Sequence, residues 1–249
     1  MEFGDLLSKS WEEYKQNFWV ILKIFLVLSL IPSVIFAILV FAFGPGETEI
    51  TTFSEILVYL PFVFGMLVII ILSFIMSLVY TYLGFYGKKS MGFGKAVKGG
   101  LGYFWKYILL TILLFIIFVL FLLPTIISAF FVLVNPFILL FSILFFIIGF
   151  VFVIKYFIFW VFATFVLVKE NVGVLESMKR SKAIVKGRWW GTLGYMILLG
   201  IIMVLISIPF NVIGFILPFV ASLSALITTP LGILFMKNFY LDRKNSRKK

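Results

Sequence analysis

The chain has 249 residues, 63% of them hydrophobic and only 12% charged, with a mean hydropathy of +1.23. A soluble domain runs at about 45–50% apolar and about 25% charged, and the excess here is spread along the whole chain, so neither a soluble fold nor a single anchor on one accounts for it. The net charge is +11 with no cysteine and no histidine, which excludes a disulfide framework, the usual zinc and haem ligand sets, and any His-based triad or general base; no cofactor or metal is expected.

The first residues, MEFGDLLSKSWEEYK, carry four acids and two lysines, unlike the basic start of a secretory signal. Phe3, Leu6, Leu7, Trp11, Tyr14 and Phe18 follow a helical stripe. Glu2, Asp5, Lys9, Glu12, Glu13 and Gln16 lie mostly on the other face, so the segment predicts an amphipathic helix in the headgroup layer.

Four charge-free runs follow: 24–46, 56–87, 107–154 and 189–236. One crossing needs about 20 residues, at about 1.5 Å each, to cover about 30 Å of hydrocarbon. The first two runs are therefore single spans, and the last two must each fold back. Proline removes a donor and disfavours helix before it, so the hairpin turns are expected at Pro124 or Asn135-Pro136, and at Pro209, Asn211 or Pro218. The spans are placed at about 18–43, 56–80, 105–124, 136–158, 189–209 and 215–237 by these breaks.

Basic residues set the orientation. Lys9, Lys15 and Lys23 mark the N-terminal segment; Lys88, Lys89, Lys95, Lys98 and Lys106 separate spans two and three. Lys169, Lys179, Arg180, Lys182, Lys186 and Arg188 separate spans four and five, and six more lie from Lys237 to Lys249. The opposite loops have none, and the longest carries only Glu47, Glu49 and Glu55. This positive-inside pattern, with an even span count, places both termini in the cytoplasm.

Three places share one design: an amphipathic stretch ending in an aromatic pair that opens a span. The pairs are Phe18-Trp19, Phe104-Trp105 and Trp189-Trp190. Tyr80, Lys155 and Lys237 fall at one distance after Pro61, Pro136 and Pro218. The expected fold is an all-α integral membrane protein, a single polytopic domain of six transmembrane helices. It is read as three pseudo-repeats (about 1–87, 88–168 and 169–249) of interfacial helix plus transmembrane hairpin. The second interfacial segment, with Phe93, Ala96, Val97 and Leu101, is short and glycine-rich, which argues against a firm helix there.

The segment ENVGVLESMKRSKAIVKGRWWGTLGYMILLGII carries Glu170, Gly173, Glu176, Ser177, Arg180, Ser181, Gly187, Trp189 and Trp190. These resemble the pattern of an acid, a glycine, E-A-hydrophobic-x-R-S, then a glycine and aromatics opening a span, with Ser177 in place of the alanine. That pattern marks the membrane domain associated with some glycerophosphodiester phosphodiesterases and the related stand-alone, YciC-like prokaryotic membrane proteins. The resemblance covers about 35 residues by this motif and implies a polytopic domain of a prokaryotic cytoplasmic membrane. It implies no catalysis, because the phosphodiesterase activity belongs to a separate domain rich in His and acids. The repeat motif of mitochondrial carriers is absent after Pro32, Pro124 and Pro209. Glu176-Ser177-Met178 does not keep the spacing to Gly187 that the cytoplasmic loop of transport permeases has.

Chemistry-bearing candidates are few. Lys155 is the only basic residue inside a long apolar stretch, and is read as an anchor that snorkels to the interface. Glu170 and Glu176 sit among basic residues and are candidates to pair with Arg180. No Asp or Glu lies within an expected span, which disfavours proton coupling. Lys179, Arg180, Lys182, Lys186, Arg188, Trp189 and Trp190 are candidate contacts for anionic lipid headgroups on the cytoplasmic side, or for an acidic protein partner. No nucleic-acid partner is expected. The chain is read as a non-enzymatic, lipid-interacting or membrane-organising protein. The alternative is a transporter or channel-like protein for hydrophobic or lipid-like cargo, its helices broken at Pro32, Pro61 and Pro230.

Overall fold

The computed structural model describes residues 1–43, 53–87, 91–131, 135, 137–215 and 218–246. Lys88, Lys89, Glu47, Glu49, Pro136 and the last three residues lie outside these, as does the side chain of Glu55. The described elements are helical: α1 Phe3–Gln16, α2 Phe18–Phe25, a π-helical turn Leu26–Leu30, α3 Ile31–Phe43, α4 Phe53–Tyr86, α5 Phe93–Leu101, α6 Phe104–Phe131, α7 Ile138–Trp160, α8 Ala163–Glu170, α9 Val174–Val185, α10 Trp189–Gly214 and α11 Pro218–Asn245. Among the described residues six stretches are long and apolar enough to cross a bilayer: Phe18–Ala42, Tyr59–Tyr86, Phe104–Phe131, Ile138–Glu170, Trp189–Gly214 and Val220–Asn245. Large apolar side chains such as Phe130, Leu140 and Val204 stand exposed along them, as lipid-facing positions do. The chain is an all-α polytopic membrane protein.

Of the expected turn sites, Asn135 and Pro218 fall at helix boundaries, while the third and fifth spans run on past 124 and 209. Pro124 lies inside α6 and Pro209 inside α10, and neither ends its helix. Pro61 and Pro230 likewise sit within α4 and α11, so those helices are not broken either. The reason is the solvent. In hydrocarbon, ending a helix strands several backbone groups, whereas one internal proline removes one donor. Short polar side chains turn to the carbonyls nearby: Ser128 Oγ donates to Thr125 O at 3.0 Å, Ser207 Oγ to Met203 O at 2.5 Å, and Asn211 Nδ2 to Ser207 O at 2.9 Å. Pro32 follows the π-helical turn, at the register where its missing N–H would have reached Leu28. Asn135 lies between α6 and α7, the third and fourth spans. Its N–H donates to Phe131 O, its carbonyl accepts from Ile138 N, and its Oδ1 accepts from Phe137 N, each at 3.0 Å.

The chain divides into two compact units, 1–102 with 199–239, and 103–198 with 240–249. In the first unit, Glu2 N–H donates to Asp5 Oδ2 at 3.2 Å to open α1, and Asn17 closes it by donating to Glu13 O and Tyr14 O. The Asn17 carbonyl then accepts from Val20 and Ile21, so one residue ends α1 and starts α2. Ile21, Ile24, Val79, Tyr80, Leu83, Ala96 and Leu234 form the core, and Tyr80 donates its hydroxyl to Ile21 O at 3.2 Å. The glycine-rich α5 is helical after all, because its glycines serve packing. A Cβ on Gly100 would come within 2.9 Å of Val79 Cα, and one on Gly99 within 2.2 Å of the Tyr82 ring. The docked α5 recovers in contact with α4 what its glycines lose in helix propensity.

In the second unit, α6 and α7 pack through Phe121 against Phe152 and Tyr156, at 5.7 and 5.2 Å between ring centres, and through a buried Ser142–Ser128 hydroxyl bond of 2.8 Å. The chain kinks between Trp160 and Ala163. Ser181 of α9 spans the kink, donating to Phe159 O at 2.8 Å and accepting from Phe162 N–H at 3.1 Å.

Candidate functional site

Helix α9 is the charged element between the fourth and fifth spans. Its packed face is Ser177, Met178, Ser181, Ile184 and Val185, all buried. Ser177 is fully buried and donates to Val174 O at 2.6 Å. Lys179, Lys182 and Lys186 all stand exposed. Their spacing of three and four residues puts them on one stripe of the helix surface, continued past its last residue by Lys186. None of the three has an ion-pair partner among the described residues. Lys182 lays its ammonium over the Tyr156 and Phe159 rings, at 5.7 and 5.6 Å from their centres, a cation–π arrangement that leaves it open to solvent or headgroups. Gly187, with φ of +83°, makes the reversal from α9 into α10, a conformation an L side chain resists.

Arg180 and Arg188 are differently engaged. Arg180 donates through Nη1 to Glu170 at 2.5 Å and through Nε to Glu176 at 2.7 Å. The guanidinium beside it holds the Glu176 carboxyl below its ordinary pKa, and the two carboxylates, Glu176 foremost, raise that of Arg180. Glu170 also accepts from Lys244 Nζ at 2.6 Å and from the Tyr240 hydroxyl at 2.7 Å. Its side chain is only 14% exposed. Arg188 donates to Ser246 Oγ at 2.8 Å and to its carbonyl at 3.2 Å. Lys106 reaches Asn171 Oδ1 at 2.9 Å, holding the left-handed residue that ends α8. The two arginines thus tie α9 and its flanks to the rest of the unit, while the three lysines form no salt bridge among the described residues.

Trp189 and Trp190 meet edge to face at 4.7 Å. Trp189 is half-buried and donates its indole N–H to Lys155 O at 3.2 Å; Trp190 is 78% exposed. Lys155 is exposed near the end of α7, with its ammonium 6.0 Å from the Phe152 ring centre. It shares an apolar cleft of about 460 Å³ with Val151, Ile154, Phe159, Trp189 and Trp190.

A polar cluster in the first unit had no counterpart in the sequence reading. Glu13 turns toward the packed side of α1 and not to its polar face. It pairs with Lys237 at 2.5 Å, and Asn238 bridges Glu13 Oε2 and Ser10 Oγ at 3.3 and 3.1 Å. Ser10 is fully buried while Trp11 is 41% exposed, so the packed face is rotated from the purely apolar stripe. Lys237 and Lys155 therefore differ: one is buried and ion-paired, the other exposed. Among the described residues no three Asp, Glu, His or Cys side chains converge as a metal cage requires.

Comparison with family models, with curated proteins and with solved structures gives no match.

Proposed function

We propose that the protein is a non-enzymatic membrane protein whose α9 face engages anionic lipid headgroups on the cytoplasmic side, and that it belongs with the YciC-like membrane proteins its Glu170–Trp190 segment resembles. The observation that carries the lipid reading is the division of labour on α9. Arg180 is paired with Glu170 and Glu176, while Lys179, Lys182 and Lys186 lie exposed, without a salt bridge among the described residues, on one stripe beside the Trp189–Trp190 pair. A cation near an anionic surface contributes about 1 kcal/mol, so the three supply about 3 kcal/mol before salt screening. Interfacial indoles fix the depth of such a helix.

The test is neutralisation of Lys179, Lys182 and Lys186 to glutamine together, leaving the arginines in place. The variant should fold and insert normally but co-purify with less phosphatidylglycerol relative to phosphatidylcholine from mixed vesicles. Unchanged lipid content in a correctly folded variant would leave these lysines a topological role only.

A further inference from the structure

We infer that the cleft around Lys155 is a seat for one anionic phospholipid, its phosphate on the Lys155 ammonium and the start of an acyl chain along Val151, Ile154 and Phe159. This deepens the lipid reading above and rests on it, but it concerns a different place: a defined pocket beside α7 and α10, not the open face of α9.

Three observations converge. The first concerns charge. Lys155 lies on a span, exposed, with no carboxylate partner among the described residues. Lys237, also on a span, is buried and paired with Glu13. An ammonium at the edge of hydrocarbon is stabilised by a counter-ion, and none of the described residues supplies one to Lys155. The second observation concerns depth. The Trp189 N–H bond to Lys155 O sets the Lys155 turn of α7 level with the first residue of α10. That is where the charged segment 169–188 gives way to the apolar span, the level at which headgroup phosphates lie. The third concerns shape. About 460 Å³ is bounded by two indoles, a phenyl ring and two aliphatic side chains, with Lys155 the one charged group in the wall. This accommodates a glycerophosphate and the first methylenes of a chain whose remainder runs in the bilayer.

Charge also sets the headgroup class. Lys155 is the one charged residue lining the cleft. A headgroup with its own ammonium or choline would bring a second cation up to Lys155. A headgroup whose phosphate is the only charge would not. The site therefore favours phosphatidylglycerol over phosphatidylcholine. Trp190, largely exposed, forms part of its wall.

The experiment uses the full chain in detergent with phosphatidylglycerol bearing a photoactivatable diazirine near the glycerol backbone, the phosphatidylcholine analogue as comparison, and peptide mapping of the adduct. Wild-type protein should give one phosphatidylglycerol adduct mapping to residues 151–159 or 189–190, in excess over phosphatidylcholine. Lys155→Met should reduce that adduct about fivefold, the weight of one interfacial cation, and Lys155→Arg should restore it. Adducts scattered over the spans, equal labelling by phosphatidylcholine, or labelling untouched by Lys155→Met would overturn the assignment. If Lys155→Met fails to fold, the wild-type headgroup comparison and adduct map still decide it. Excess soluble sn-glycerol 3-phosphate should not displace the lipid; displacement would assign the pocket to a soluble phosphate ester and overturn the lipid seat. The pair Lys179→Gln/Lys186→Gln, which spares Lys182, should lower bulk phosphatidylglycerol retention while leaving the mapped adduct intact. Loss of one effect without the other shows which of the two lipid contacts fails.

Discussion

Glu13 and Lys237, separated by 224 positions, meet in a 2.5 Å ion pair whose lysine side chain is only 4% exposed. The pair joins α1, a helix outside the spans, to α11, the last of them. Removing one partner of such a pair leaves a buried charge without its counter-ion, which costs about 3–5 kcal/mol where burial is complete. Glu13 is 25% exposed, so the lower end, about 3 kcal/mol, is expected for Glu13→Ala. Thermal unfolding in detergent should show the loss. Replacing both residues, as Glu13→Leu with Lys237→Met, should recover most of it, because two apolar side chains leave no charge behind. A double variant as unstable as the single one would contradict this account.

Glu170 is the corresponding hub of the other unit, accepting from Arg180, Lys244 and Tyr240. Glu170→Ala removes the carboxylate partner of Lys244, 33% exposed, and one of the two that hold Arg180, 45% exposed. Solvent screens them, so the expected cost is about 1–2 kcal/mol. Arg180→Lys should not be neutral, since a single ammonium cannot serve Glu170 and Glu176 with the forked geometry seen here. Acid adds a further check. The Glu176 carboxyl is held below its ordinary value of 4.5 by Arg180. Its contribution is therefore present above the unfolded value and is lost as pH falls through the folded one. Melting temperature should be flat from pH 8 to pH 5 on this account, and the part that depends on Arg180 should disappear only in stronger acid. A decline centred near pH 6 would point to another group.

Gly100 and Gly94 give opposite expectations on one short helix. A Cβ at Gly100 would press on the Val79 backbone at 2.9 Å, whereas one at Gly94 meets nothing within 4 Å. Gly100→Ala should undock α5 and cost about 1–3 kcal/mol through overpacking. Gly94→Ala should be neutral or gain about 0.5 kcal/mol from helix propensity and reduced unfolded-chain entropy. Limited proteolysis between α5 and α6 reads both: faster cleavage for the first, unchanged or slower for the second.

The spans were legible because their signal is local and composed of many residues: a charge-free run such as 107–154 is too long for one crossing and too apolar to be anything but two. The turn inside it was less so. Pro124 and Asn135 are both plausible breaks by local rules, and the choice fell to Asn135 because hydrocarbon penalises an early helix end more than a single lost donor. The Arg180 neighbourhood was half legible. Glu176 is four residues from Arg180 and Glu170 ten, close enough for charge spacing to suggest them. Lys244 and Tyr240 are 74 and 70 residues from Glu170, and no local pattern marks them. The same holds for Ser10, whose burial reflects Asn238 from the far end of the chain. An amphipathic stripe identifies apolar faces, and a polar face that is buried because it finds a polar partner is invisible to it.

Sidedness decides whether either lipid contact can form, and the native absence of cysteine makes it directly measurable. The basic residues of segments 88–106, 169–188 and 237–249 account for most of the twenty-one in the chain, and the loops between the other span ends carry none. The positive-inside rule leads to the expectation that α9 lies on the cytoplasmic side and residues 44–52 on the other. Lys179→Cys is a suitable reporter because the side chain is exposed and outside the Arg180 pairs. In intact cells a membrane-impermeant maleimide should label Thr48→Cys and spare Lys179→Cys, which should react only after permeabilisation. Labelling of Lys179→Cys from outside would invert the protein. It would set the three lysines and Lys155 against the outer leaflet, and the proposal of a cytoplasmic headgroup contact would fall with the topology.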